Sequence, residues 1–144
     1  MKLIAYLSNG YPSLEESSER AIEFVNAGVD IIEADFPSKD PYLDSEYLQN
    51  RIFTALEKES NYEKYMDSLL ELSKKLEGVE FLVNIYPETI REIGFERFNK
   101  FMNDLGQKEV LLVGNSDPDA KEKLMDMGLK VSAFVTRSME EEDI

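Results

Sequence analysis

Leu3-Ile4-Ala5-Tyr6-Leu7 is a nearly continuous apolar run closed by Asn9-Gly10, the pattern of a short strand buried on both faces. Ser13-Leu14-Glu15-Glu16 then places a cap hydroxyl three residues before a carboxylate, so each can satisfy an orphan N–H at a helix start. Leu14, Ala21, Ile22 and Val25 recur at helical spacing, and Gly28 follows Ala27 as a left-handed stop. Val29 to Phe36 reads as the next strand. The order of strand, turn, helix and glycine returns three more times. Ser45 to Glu57 reads as one helix and Tyr62 to Leu76 as a longer one, with Tyr65, Met66, Leu69, Leu72 and Leu76 on a packing face. Gly78 opens a strand over Val79 to Tyr86. Phe95, Phe98 and Met102 mark a helix ending at Gly106, and Val110 to Val113 is a fourth strand. Asp117-Pro118 caps a helix that Gly128 ends, and Leu129 to Val135 is the fifth strand. Strands alternating with helices of this length predict parallel pairing through right-handed crossovers, hence an α/β domain spanning 1–144.

Composition narrows the chemistry. In 144 residues there are 16 Lys and Arg, 30 Asp and Glu, and no His, for a net charge of −14. Such a surface repels a phosphate backbone or an anionic bilayer, so neither nucleic acid nor membrane is an expected partner. With no Cys and no His, disulfides, thiolate zinc sites and Ser-His or Cys-His nucleophiles are excluded. Carboxylates, Tyr, Lys and backbone remain. The apolar run after Met1-Lys2 is too short for a signal sequence or for the roughly 20 residues of a spanning helix, and a cytoplasmic protein is expected.

In parallel α/β folds reactive groups sit at the carboxyl ends of strands, which directs attention to the exit of the second strand. By alternation Val29, Ile31 and Glu33 share one face and Ile32 and Ala34 the other. A carboxylate thus continues an apolar row; if that row faces a core, burial makes Glu33 a general acid or base useful near neutrality. The plainer reading is a Glu that reaches solvent or a nearby Lys. Asp35, Asp40 and Asp44 lack the spacing of a known cation loop, and no metal or cofactor is expected. Gly114-Asn115-Ser116-Asp117-Pro118 has the composition of an ordinary strand-to-helix turn, with anion binding at the helix start as the sharper alternative. Ser138-Met139-Glu140-Glu141 is a further capping box, in an acidic stretch that otherwise reads as a solvated tail.

Three motifs occur together in order: Gly10-Tyr11-Pro12-Ser13, Ala27-Gly28-Val29-Asp30-Ile31-Ile32-Glu33, and Pro37-x-x-Asp40-Pro41-x-x-Asp44. In this the sequence resembles the tryptophan synthase alpha subunit family, whose members read Gly-x-Pro after the first strand, then Ala-Gly-Ala-Asp-x-x-Glu, then Pro-Phe-Ser-Asp-Pro-x-x-Asp-Gly-Pro. The register holds without a gap from Gly10 to Asp44 and more weakly through Gln49, Tyr86, Ile93-Gly94-x-Glu96-x-Phe98 and Gly106. The resemblance implies a (β/α)8 barrel that cleaves indole-3-glycerol phosphate to indole and glyceraldehyde 3-phosphate and passes indole to a beta subunit. It implies that Glu33 is the general acid/base and that Asp44 accepts a hydrogen bond from the indole N–H. Tyr86 falls on the third-strand tyrosine beside the active site, and Tyr6 and Tyr86 are expected to contact the substrate. With about five strands, the expected form is an incomplete, TIM-barrel-like array or an open doubly wound sheet, with edges that invite self-association.

Departures from the pattern lie beside the residues that match. Asp35 stands where the family has a small residue, Ser38-Lys39 replaces Phe-Ser, and Ser45-Glu46 replaces Gly-Pro. Glu33, Asp35 and Glu46 are expected to crowd one mouth, partly offset by Lys39. Two functional readings follow: a lyase of this type in its full-length context, the 144-residue chain alone being inactive, or a noncatalytic relative acting as an interaction or scaffold domain.

Overall fold

The computed structural model describes residues 1–114 and 117–133. Five parallel strands, β1 (Ile4–Leu7), β2 (Ile31–Asp35), β3 (Glu80–Ile85), β4 (Glu109–Leu112) and β5 (Lys130–Ala133), form one sheet in the order β1-β2-β3-β4-β5. Each right-handed crossover therefore steps in the same direction, which puts the connecting helices on one side of the sheet. This is the winding of a barrel, open over the described residues. A doubly wound sheet would need a reversal in strand order, and the expectation of that alternative gives way to the order seen.

The helices are α1 (Leu14–Asn26), α2 (Glu46–Lys58), α3 (Tyr62–Lys75), α4 (Pro87–Ile93), α5 (Phe95–Leu105) and α6 (Pro118–Asp126). Their starts follow the local chemistry: the Ser13 hydroxyl accepts from the Glu16 N–H at 3.2 Å, Ser45 caps α2, Asn61 caps α3, and the Asp117 carboxylate accepts from the Ala120 N–H at 3.1 Å. The short helix α4 is additional to the sequence expectation. At 7 residues it is too brief for a hydrophobic period to show, and Gly94, at φ +94°, separates it from α5.

Alternation along the strands divides the molecule into two sides. Leu7, Ile32, Ala34, Phe81, Val83, Ile85, Val110 and Leu112 are buried against the helices. Between sheet and helices, Phe36 meets the Phe101 ring at 5.6 Å and the Phe98 ring at 6.3 Å, and Tyr65 and Met66 are fully buried in the same cluster. Each such side chain contributes roughly 1.5–3 kcal/mol of burial free energy, so this one layer accounts for most of what holds the sheet to its helices. The opposite face carries Tyr6, Ile31, Glu33, Leu82, Asn84 and Leu111, all half-buried. β1 is consequently not buried on both faces as its apolar run suggests: Ile4 is 51% exposed, because no layer among the described residues covers that side. Asn115 and Ser116 of the candidate anion turn, the last two residues of the expected fifth strand, and the 138–141 capping box lie outside the described residues.

Candidate functional site

The carboxyl ends of the strands gather three carboxyl groups, each held by uncharged donors. Glu33, on the open face of β2, accepts a hydrogen bond at Oε1 from Asn84 Nδ2 of β3 at 2.9 Å. Asp44, in the loop between β2 and α2, accepts at Oδ2 from the Tyr86 hydroxyl at 2.7 Å. Asn84 and Tyr86 are two positions apart at the end of β3, so one strand terminus tethers both carboxylates. Tyr86 is itself fixed: it is 3% exposed, its hydroxyl accepts from the Leu43 N–H at 3.2 Å, and the Tyr42 ring meets it edge-on at 5.5 Å. Gln49 Nε2 closes the same loop by donating to the carbonyls of Pro41 and Asp44 at 3.1 and 3.0 Å.

Asp35 is the third carboxyl. It is 5% exposed at the end of β2, where Oδ1 accepts from the Asn9 N–H at 2.6 Å and Oδ2 from the Tyr6 hydroxyl at 2.7 Å. Burial disfavours its charged form and pushes its pKa up to about 7, the negative field of Asp44 adds to this, and the two hydrogen bonds pull the other way. Burial and the Asp35 carboxylate together hold the Tyr6 phenol well above its usual range, so Tyr6 is a neutral donor. Burial and the hydrogen bond to Asp44 do the same for Tyr86.

Several expectations are redrawn by this geometry. The row bearing Glu33 faces the open side of the sheet, and Glu33 is half-buried there rather than set in an apolar core. Glu46 does not crowd the mouth; it is exposed in the first turn of α2, where the helix dipole favours it. Lys39 does not offset the acidity, since its Nζ is paired with Glu92 at 2.6 Å. The Tyr6 hydroxyl is committed to Asp35, which leaves its ring as the surface a ligand would meet. Among the described residues no cluster of three or more acidic side chains is arranged to hold a metal ion.

A family model described as tryptophan synthase alpha chain matches residues 1–142. The chain belongs to the tryptophan synthase alpha chain family. It is 30% identical over 122 residues to the tryptophan synthase alpha chain of Aquifex aeolicus (strain VF5), a match covering 85% of this chain and 46% of that one. With the protein of the same name from Methanosarcina barkeri (strain Fusaro / DSM 804) it is 32% identical over 105 residues, 72% of this chain and 38% of that one. The chain thus spans about half the length of the curated relatives it matches, or less. Its fold superposes with a TM-score of 0.83 on a crystal structure of tryptophan synthase from M. tuberculosis in an aminoacrylate-bound form, at 22% identity, covering 99% of this chain and 58% of that one. A mutant tryptophan synthase alpha-subunit from Pyrococcus furiosus gives 0.82 at 19% identity, covering 98% and 58%. These likenesses show the fold, and they agree with the strand order: a barrel-type βα array of which five strands are described.

Within this family member, Asn84 and Asn9 are the site residues that sequence reasoning passed over. Asn84 carried a signal, as a polar residue in the alternating row Glu80, Leu82, Asn84 that faces away from the buried Phe81, Val83 and Ile85. Asn9 acts through its backbone N–H, which no residue type announces.

Proposed function

We propose that, within a complete barrel, the chain acts as a tryptophan synthase alpha-type lyase that cleaves indole-3-glycerol phosphate to indole and glyceraldehyde 3-phosphate and works beside a beta-type subunit. The observation that carries this reading is the tethering of Glu33 and Asp44 at one strand terminus by Asn84 and Tyr86. The reaction needs two carboxyl groups with separate tasks. A proton is delivered to the indole carbon that bears the glycerol chain by Glu33 in its carboxylic acid form, a role supported by its position on the open face of the sheet. Protonation leaves positive charge on the ring nitrogen, and Asp44 accepts the N–H while that charge develops. The carbon–carbon bond to the glycerol chain then breaks, its electron pair returning to the ring, as the neighbouring hydroxyl passes its proton to the Glu33 carboxylate left by the first transfer and becomes the aldehyde. Tyr86 holds Asp44 in place for this, and the Tyr6 ring lies beside Glu33 in the adjacent strand, opposite it in register.

The test is indole release from indole-3-glycerol phosphate by the complete barrel, with and without a beta subunit, for the parent protein and for Glu33→Gln and Asp44→Asn. Release by the parent that is lost in both variants supports the lyase. No release from any form, with beta subunit binding retained, supports the noncatalytic reading, which the buried Asp35 at the mouth favours.

A further inference from the structure

Asp35 has no task in the chemistry above, yet it is the most constrained carboxyl in the molecule's strand-end cluster. Both of its oxygens accept hydrogen bonds, and both donors belong to one unit: Tyr6 of β1 and the N–H of Asn9 in the turn that follows. That turn is closed by the Tyr11 N–H donating to the Ser8 carbonyl at 3.1 Å and anchored to α1 by the Gly10 N–H donating to Ser17 Oγ at 3.0 Å. Asp35 therefore fastens the ring of Tyr6 and the Ser8–Tyr11 turn to the end of β2, one residue beyond Ala34 and two beyond Glu33. Its surroundings leave it sensitive to its own charge. Tyr6 and the Asn9 N–H reach it from β1 and its turn, Asp44 from the β2–α2 loop, and the Tyr65 phenol feels its field from α3. Glu33 shares its strand, and its register partner on β3 is the neutral Asn84. None of the ion pairs among the described residues involves it.

We propose that Asp35 is a positioning residue of this site: the ionised carboxylate clamps the Tyr6 ring and the Ser8–Tyr11 turn beside Glu33, so that an indole ring is held more tightly once Asp35 has lost its proton. The identity of the ligand rests on the function proposed above; the clamp does not. A carboxylate accepts hydrogen bonds from N–H and O–H more strongly than a carboxylic acid, so loss of the proton tightens both contacts at once. Burial places that loss near neutrality, where the clamp responds within the ordinary pH range. Because Tyr6 spends its hydroxyl on Asp35, the ligand meets an immobilised aromatic face, and fixing such a face in advance lowers the ordering cost of binding.

The experiment follows the isotope-labelled 144-residue chain by NMR from pH 5.5 to 8.5, with free indole as the probe. The Asp35 carboxyl carbon and the Asn9 amide are expected to inflect together near pH 7, and indole to bind about threefold or more tightly at pH 8 than at pH 6. Asp35→Asn retains an acceptor of the same shape; it should abolish the Asn9 inflection and flatten the pH dependence of indole affinity. Tyr6→Phe removes a donor that favours the carboxylate and should move the inflection to higher pH, an outcome that tests the clamp even without the Asn variant. An Asn9 inflection that survives in Asp35→Asn, or indole affinity that is flat from pH 6 to pH 8 in the parent chain, overturns the proposal. Failure of the chain to bind indole, even while the Asn9 inflection still follows Asp35, overturns the proposal, whereas the lyase reading stands or falls separately on indole release by the complete barrel.

Discussion

The Tyr86 hydroxyl donates to Asp44 Oδ2 at 2.7 Å and so ties the loop after β2 to the end of β3. Because the same oxygen accepts from the Leu43 N–H, one phenol satisfies both a side chain and a backbone group of the loop that carries the second carboxylate. Tyr86→Phe keeps the ring in its buried position and leaves these two groups without their partner. A loss of about 1–2 kcal/mol in urea unfolding is expected, with faster hydrogen exchange at the Leu43 amide. An unchanged Leu43 exchange rate would show that the loop is held by Gln49 alone.

The proposed lyase gives Glu33 the proton transfer, and Glu33→Gln keeps its shape while removing that proton. In the complete barrel, indole release should fall by about 10²-fold or more while binding of the uncleaved substrate survives. Single-turnover kinetics separates the two, and an equal rate removes Glu33 from the mechanism.

The 144-residue polypeptide alone should release indole from indole-3-glycerol phosphate at a rate on the order of 10³-fold or more below that of the complete barrel, because binding energy from the remote phosphate helps position the reacting atoms. Among the described residues Glu33, Asp35 and Asp44 at the strand ends have no ion-pair partner, and their field opposes an anionic ester. Assay of the isolated chain with added beta subunit checks this, and substantial release would require a phosphate site elsewhere.

Asp35 also makes a prediction about stability. Its ordinary value of 3.8 rises to about 7 in the fold, so the unfolded chain ionises first as pH rises and the folded chain last. Stability from the neutral group is fully present below about pH 4 and is lost as pH climbs through 7. Asp35→Asn cannot ionise. Its melting temperature should exceed that of the parent at pH 8, by the equivalent of at most a few kcal/mol, with the gap closing toward pH 4. A gap that is constant with pH would mean Asp35 titrates alike in both states.

Gly10 turns the chain at φ +86°, and a Cβ there would sit 2.5 Å from Tyr65 Cε1. The ring cannot retreat easily, since its single O–H is shared between the carbonyls of Glu59 at 2.8 Å and Ala55 at 3.1 Å. Gly10→Ala combines left-handed strain with overpacking and should cost about 2–4 kcal/mol by urea unfolding. A cost within error would show that the turn relaxes away from α3.

What the sequence determined by itself is local. The caps at Ser13, Ser45 and Asp117, the glycine stops at Gly28, Gly106 and Gly128, and the two faces of β2 follow from side chains acting within a few residues of themselves, which is why they can be read in order along the chain. The match of Glu33 and Asp44 to a family pattern was legible for the same reason, since both lie in one ungapped stretch. Tertiary structure decided the rest. Whether the strands wind one way or reverse depends on which edge each new strand joins, a choice that periodicity does not encode. Whether a carboxylate stays at the surface or is sealed depends on neighbours from other strands: Asn84 lies 51 positions from Glu33, Tyr86 42 from Asp44, and Tyr6 29 from Asp35. Asp35 and Glu46 look alike as acidic departures from one motif. The fold buries the first under β1 and leaves the second on the first turn of α2, because the sheet's packing, and not the residue type, sets what water can reach.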